Sequence, residues 1–345
     1  MSEMQKWYEK TGSEGDVVIS TRIRLARNLK GVPFPGKMND SMKNQVLEAV
    51  HQAVMAPNSL FSGFFMWIPI AALSSTAAVS LVERHLASPE FISRPAGRAL
   101  LLSKDESASI MVNEEDHLHI QVLLEGLSLK EAWQTASRLD DALNERLSFA
   151  FDSQLGYLTQ HPTDLGTGMR ASLMLHLPAL EESGIISRTA SNLSKLGLSL
   201  KGAMEENGET TGCLYQLSNR VTLGLSEEEA LSNLETISMQ ILRQERGARE
   251  KLMRRMETQD TIARSLGILQ NARLLGSSEF MKLLSNVRLG VACGFISGID
   301  MGTLNRLAIL GQPATLRLPD NQEDAPKEEQ TILRARLVRQ ALGAN

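Results

Sequence analysis

The 345-residue sequence predicts an α+β protein that ends in a small all-helical domain. Three observations predict this. Helix and strand patterns alternate irregularly over the first 255 residues. Two short apolar runs, residues 98–103 and 107–113, flank the polar turn Lys104-Asp105-Glu106 and read as a hairpin. Strand patterns stop beyond 255, and residues 280–289, 303–310 and 328–342 carry helical periodicity.

The elements follow in chain order. Residues 39–55 form an amphipathic helix and 64–70 a short apolar strand. Residues 118–124 are a further strand. Ser128-Leu129-Lys130-Glu131 reads as a capping box opening a helix with Trp133, Ala136, Leu139 and Leu143 on one face. Residues 198–203 and 214–217 are strands. Ser226 to Glu229 is a second capping box, opening a long helix whose stripe is Leu231, Leu234, Ile237, Ile241 and Leu242. The polar, Pro-flanked stretch 319–327 reads as a linker. A boundary near 255 gives two domains, 1–255 and 256–345.

The net charge of -4 gives no general affinity for nucleic acid, so an anion site has to be local. Two cysteines, Cys213 and Cys293, make no disulfide framework and point to a reducing compartment. Residues 1–10 mix charges and contain no apolar run, which is unlike a secretory signal. Residues 60–82 are uncharged, but Pro69 and several serines divide them into a strand and a helix, arguing against a membrane span.

Four clusters carry chemistry. In Ser20-Thr21-Arg22-Ile23-Arg24, alternation puts both guanidinium groups on one side of a strand and Ile23 on the other. Such a pair suits an oligophosphate or a solvated sheet edge. Asn113-Glu114-Glu115-Asp116-His117 concentrates three acids, a site for a cation or an ordinary acidic turn. Residues 161–172 hold a Gly166-Thr167-Gly168 turn just before Arg170, a turn that lets backbone approach a ligand or simply reverses the chain. Residues 201–209 form a polar, glycine-containing loop with three acids, either a connector or a mobile lid.

Together, the runs Val18-Ile19-Ser20-Thr21-Arg22-Ile23-Arg24, Asn113 to His117, and Pro162-Thr163 with Gly166-Thr167-Gly168 and Arg170-Ala171-Ser172 resemble the phosphagen kinases, the ATP:guanido phosphotransferases. Arg22 to Asn28 and Ser285-Asn286-Val287-Arg288-Leu289-Gly290 resemble the bacterial protein-arginine kinase branch. The resemblance covers nearly the whole chain. It implies an antiparallel sheet flanked by helices, with a helical C-terminal domain that dimerises. The implied activity is transfer of the ATP γ-phosphoryl group, with Mg, onto protein arginines.

Residue by residue, the resemblance implies that Arg22, Arg24 and Arg170 grip phosphates and that His85 lies beside the adenine. Ser20, Thr21, Ile23, His119, Ala171, Ser172, Leu173, Met174, Lys201, Gly202, Ala203, Met204, Glu205 and Glu206 complete the implied nucleotide site. Glu115 and Glu209 are the implied catalytic carboxylates on the guanidinium, with His161 beside the substrate. No metal ligand is assigned. Two carboxylates can hold a guanidinium bidentately and take its proton as transfer proceeds. Small-molecule members carry a helical domain before the Ser-x-Arg-x-Arg strand, for which Ser20 leaves no room. An open site for a protein arginine is the expectation.

The chain departs from the family at several places. His119 stands where the family has a phosphate-contacting arginine, and His161 and Asp164 replace a cysteine and an asparagine. Met204, Glu205 and Asn207 also depart from the family's loop. Of the branch's phosphoarginine-sensing Arg-Asp-x-x-Arg-Ala motif, Gln330 to Ala335 keeps only Arg334 and Ala335. These changes admit an alternative, a weakened or inactive paralogue acting as a nucleotide- or phosphoarginine-binding scaffold. Implied partners are protein substrates with exposed arginines, among them a stress repressor, a Clp-type chaperone-protease and a zinc-containing activator, in the cytoplasm. Neither nucleic acid nor membrane is among them.

Overall fold

The computed structural model describes residues 5–56, 59, 61, 63–203, 205, 206, 209–320 and 327–343, with backbone alone at 205, 206, 209, 319, 320 and 327. The strands are β1 (Val18–Arg27), β2 (Phe65–Pro69), β3 (Ala99–Ser103), β4 (Ala108–Val112), β5 (Leu118–Glu125), β6 (Phe151–Asp152), β7 (Gly156–Tyr157), β8 (Met169–His176), β9 (Leu198–Gly202), β10 (Glu205–Glu206), β11 (Glu209–Thr210) and β12 (Leu214–Asn219). The helices are α1 (Asp40–Met55), α2 (Ser75–Glu83), α3 (Pro89–Ser93), α4 (Leu129–Leu147), α5 (Pro178–Glu182), α6 (Ile186–Lys195), α7 (Glu227–Leu252), α8 (Met256–Asn271), α9 (Ser277–Ala292), α10 (Met301–Leu310) and α11 (Lys327–Ala341).

Eight strands form one sheet in the order β2-β3-β4-β5-β1-β8-β12-β9. Every neighbouring pair is antiparallel. The two faces differ because side chains alternate along each strand. One face carries Ile23, Leu25, Ile110, Ile120, Val122, Leu173 and Leu217, all fully buried in the main core with residues of α1, α4 and α7. The opposite face carries Arg22 and Arg24 of β1, Gln121 and His119 of β5, and Arg170 and Ser172 of β8. The sheet is thus apolar where helices cover it and polar where the site lies.

Helix starts follow local chemistry. The Asn39 side chain accepts from Met42 N, and Ser226 and Glu229 form the expected capping box of α7. The capping box expected at Ser128 does not form. Its Oγ donates to Glu125 O at 2.8 Å, and its N–H goes to Thr21 Oγ1 at 2.9 Å, so the end of β5 claims this residue. Trp133, Ala136, Leu139 and Leu143 nevertheless turn toward the main core.

The uncharged stretch 60–82 resolves into β2 and α2, and among the described residues no helix is long and apolar enough to cross a membrane. Helix α8 carried no sequence signal strong enough to be read. Its buried residues are Ile262, Ser265 and Leu269, a thin stripe on an otherwise charged helix. Helices α8 to α11 share a second core built on Leu269, Phe280, Val287, Leu304, Leu307 and Val338. Leu214 of β12 belongs to this core, and Ile19 and Met174 pack against it. Of the expected linker, residues 321–326 lie outside the described residues.

Candidate active site

Arg22 and Arg24 are successive polar-face residues of β1. Arg24 stands opposite Arg170 on β8, and Arg22 opposite Ser172, whose Oγ accepts from Arg22 Nε at 3.3 Å. Among the described residues neither Arg22 nor Arg24 makes an ion pair, and Arg170 reaches Asp164 Oδ1 at 2.7 Å. Burial, then the charges of Arg24 and Arg170, bring the Arg22 guanidinium down to about 10. Among the described residues the buried Arg170 Nε has no partner. Three guanidinium groups so placed and so little compensated form an anion site.

The acidic turn lies at one end of this row. Arg24 acts electrostatically on both Glu114 and His119, which places it beside the turn. Asn113, at φ 64°, donates its Nδ2 to Lys43 O and Gly97 O and so fixes the bend. Asn28 braces the far side: its Oδ1 accepts from His117 N at 2.9 Å, and its Nδ2 donates to Asp116 Oδ1 at 2.5 Å. Glu115 alone turns outward. Its side chain is 43% exposed, with its Oε1 3.2 Å from His161 Nε2. An open carboxylate beside an anion site is what an incoming guanidinium needs.

His119 lies on the polar face of β5, with its side chain turned to the acidic turn. It is 1% exposed, Nδ1 bonds Glu114, and Nε2 lies 3.3 Å from Asp116 Oδ2. Burial opposes its charge, but bonds to Asp116 and Glu114 dominate and raise its pKa. Burial would likewise raise Glu114, yet bonds from His119 and Ser88 hold its carboxyl at about 2. Both ring nitrogens are thus committed to carboxylates, and His119 offers none to a nucleotide.

The other end of the row is the His85 turn. His85 takes φ 63°, a left-handed conformation uncommon for a residue with a side chain. Gln121 Nε2 donates to His85 O at 2.8 Å, and Ser109 Oγ to Leu86 O at 3.0 Å, which hold the turn against the sheet. Burial, then Arg22, push the imidazole down to about 4, so it is neutral. Ser20, Arg22, His85, Ser172, Met174 and Ala203 line one pocket.

Alternation removes several expected side chains from the site. Ile23, Ala171 and Leu173 are fully buried on the opposite face, and Thr21 Oγ1 donates to Gly126 O at 2.6 Å. Only their backbone borders the site. The Gly166-Thr167-Gly168 turn approaches protein rather than ligand. A Cβ on Gly168 would meet Arg27 Nη1 at 2.6 Å, and one on Gly166 would meet Thr222 O at 2.2 Å. The close turn lets Arg27 reach Asp140 in a buried ion pair and leads the chain into Arg170.

Lys201 lies exposed on β9 opposite Gln216, Gly202 pairs with Tyr215, and Ala203 N donates to Leu214 O. Beyond them Glu206 pairs with Glu209 in the β10–β11 hairpin, while the side chains of Glu205, Glu206 and Glu209, and all of Met204, lie outside the described residues. Sequence reading did not single out Asp164 as the partner of Arg170, or Gln121 as the brace of the His85 turn. Period-two spacing from Leu123 was the available signal for Gln121.

One family model, described as "ATP:guanido phosphotransferase, C-terminal catalytic domain", matches residues 45–248, and the chain belongs to this family. A second, described as "Protein-arginine kinase McsB C-terminal domain", matches residues 255–345. The full-length relatives narrow the class to the protein-arginine kinase branch. The chain is 45% identical over 344 residues to "Protein-arginine kinase" of Symbiobacterium thermophilum, covering 98% of this chain and 97% of that one. It is 46% identical over 343 residues to the protein of the same name from Desulforamulus reducens, covering 98% and 96%.

Among solved structures, the duplicated taurocyamine kinase of Schistosoma mansoni with transition state analog components superposes with a TM-score of 0.60 at 26% identity. The match covers 68% of this chain and 33% of that longer protein. Lombricine kinase shares the fold, with a TM-score of 0.60 at 21% identity and 68% of each chain covered. The chain is an ATP-dependent phosphotransferase of the guanidino class.

Proposed function

We propose that the protein transfers the γ-phosphoryl group of ATP to arginine side chains of proteins. The observation that carries this reading is the juxtaposition of the Arg22, Arg24 and Arg170 row with the outward-facing Glu115. The three guanidinium groups hold and neutralise the triphosphate. Phosphoryl transfer depends on such positioning and charge compensation more than on covalent chemistry. Glu115, open to solvent, receives the substrate guanidinium, orients one nitrogen in line with the γ-phosphate and accepts its proton. Glu209, in the β10–β11 hairpin, is the second carboxylate of this reading. His161, in contact with Glu115, sets the angle at which that carboxylate meets the substrate.

Among the described residues no group of three acidic, histidine or cysteine side chains is placed to hold a metal. The Mg implied by the family fits as a companion of the nucleotide phosphates.

In the same reading, residues 1–255 are the catalytic domain and residues 256–345 a helical domain that dimerises. Ile268, Leu274 and Ile332 of the helical part carry exposed apolar side chains that suit such a contact. Products pass to a Clp-type chaperone-protease, with a zinc-containing activator and a stress repressor as further partners, in the cytoplasm. These partners rest on the family resemblance.

A second reading is a weakened paralogue that binds nucleotide without efficient transfer. It is favoured by the commitment of His119 to Glu114 and Asp116, which leaves the site one cation short of its family. The two readings separate when labelled Mg-ATP is offered with an arginine-rich unfolded protein, and separately with free arginine. Acid-labile label on the protein supports the first reading, and label on free arginine alone overturns it. Nucleotide binding without any transfer supports the second.

A further inference from the structure

A groove of about 960 Å³ runs between the sheet domain and the C-terminal helices. One wall is α5 with the base of the β10–β11 hairpin, and supplies Glu181 and Thr210. The other is α8 and α9, and supplies Thr258, Thr261, Ser285 and Asn286. Both walls are held in place. Tyr215 Oη donates to Glu181 Oε2 at 2.8 Å, and Asn286 Nδ2 to Ser265 Oγ at 3.0 Å. Arg255 of the second wall lies 3.8 Å from Glu182 of the first. Gly212, at φ 72°, seats the end of the hairpin on α9, where a Cβ would stand 3.4 Å from Met281 O.

Three features say what the groove can hold. Thr210 directly follows Glu209 and pairs with Glu205, so the groove begins at the hairpin that carries the second carboxylate. The α8 and α9 wall lies wholly within residues 255–345, which match the protein-arginine kinase model, and outside 45–248, which match the model shared by guanidino kinases at large. The wall therefore goes with the branch named for a protein acceptor. Its hydroxyl and amide groups both donate and accept, so they can pair with the backbone N–H and C=O of any sequence.

We propose that this groove holds the extended polypeptide next to the target arginine, its backbone pairing with the hydroxyl and amide groups of α8 and α9. The inference deepens the kinase reading above and rests on it. It gives the C-terminal helices a part in substrate binding, and it makes length rather than sequence the feature of the substrate that the groove reads. A free guanidino compound reaches only the transfer site. An unfolded segment reaches the transfer site and the groove together, and gains affinity from both.

The test is the kinetics of phosphoryl transfer to a short capped peptide with one central arginine, and to the same peptide lengthened on either side by about eight uncharged residues, a reach of roughly 26 Å. The full chain is compared with Thr258→Trp and Lys282→Trp, which narrow the groove from a half-buried position on α8 and an exposed one on α9. On the parent, at least one extension is expected to lower KM about tenfold with kcat unchanged. Both variants are expected to erase that gain and to keep the parental KM for ATP and for the short peptide. Extended peptides no better than the short one on the parent would overturn the proposal, even if a variant fails to fold. So would a gain that survives in a folded variant, or a variant that loses short and long peptides equally. A parent that labels all peptides with one KM loses the groove alone. One that labels no peptide loses the groove, and if it also leaves an arginine-rich unfolded protein unlabelled, it loses the kinase reading as well.

Discussion

Arg24 of β1 stands directly across the ladder from Arg170 of β8. Like charges in opposed positions destabilise a sheet, here by roughly 0.5 kcal/mol. The arrangement makes sense as anion binding rather than as support for the fold. Arg24→Gln should therefore keep or slightly raise the melting midpoint in the absence of ligand. It should weaken ATP by roughly tenfold, the loss of one charge-assisted contact. Thermal melts with and without nucleotide check this, and a large loss of ligand-free stability would make Arg24 a structural residue.

The His119 cluster gives a pH dependence with a definite sign. The pKa of His119 is raised, so its stabilisation is complete below the ordinary value of 6.5 and fades as pH rises through the folded value. Glu114 and Asp116 are lowered, so their contributions are complete above the ordinary carboxylate range and fade as pH falls through their folded values, about 2 for Glu114. The cluster is strongest between those limits. The stability gap between parent and His119→Gln should be larger at pH 5.5 than at pH 8.5, measured by urea unfolding. ATP affinity of His119→Gln should match the parent at pH 6 to 8, because the histidine's charge is already balanced by carboxylates. A pH-independent gap would contradict the charged cluster, and a fall in ATP affinity would show that His119 acts on the nucleotide.

Arg27 is 1% exposed and pairs with Asp140 through Nε at 2.8 Å and Nη2 at 2.9 Å, while its guanidinium carbon lies 3.5 Å from the centre of the Tyr157 ring. Removing one member of a buried pair strands the other. Arg27→Met should cost about 3–5 kcal/mol of stability, and Arg27→Met with Asp140→Leu should recover most of it. Denaturant midpoints of the single and double variants decide the point.

Arg334, which the resemblance alone links to phosphoarginine sensing, is 2% exposed and donates to Gly311 O at 2.7 Å and Leu275 O at 2.8 Å. It ties α11 to the end of α10 and to the segment before α9. Free phosphoarginine should therefore leave the parent's melting midpoint unchanged, and Arg334→Ala should destabilise the chain by about 2 kcal/mol through lost charge-assisted bonds. A phosphoarginine-dependent rise in the parent that Arg334→Ala abolishes would reverse this assignment.

Much of the site was legible in the sequence because strand alternation is a strict rule. Arg22 and Arg24 with Ile23 between them mark which face of β1 is polar. The Asn113 to His117 turn was legible as an acid cluster. Which of its carboxylates faces outward was not, because that depends on Asn28 and His119, which are distant in sequence or role. The same holds for Asp164: its pairing with Arg170 follows from a loop geometry set by Gly166 and Gly168, whose neighbours Thr222 and Arg27 come from other parts of the chain. Helix α8 was missed because three buried residues in sixteen give too weak a periodicity. Ser128 misled because its hydroxyl had two competing partners, the start of α4 and the end of β5, and the strand end prevailed.

The most direct test of the account is Glu115→Gln, assayed for transfer of labelled γ-phosphate to an arginine-rich unfolded protein and, in parallel, for ATP binding. The side chain is outward-facing and remote from the core, so the fold and the ATP affinity should stay within about twofold of the parent, as for surface substitutions. Acid-labile label on the protein should disappear. Undiminished transfer by Glu115→Gln would contradict the central claim, because the guanidinium would then be oriented by some other group.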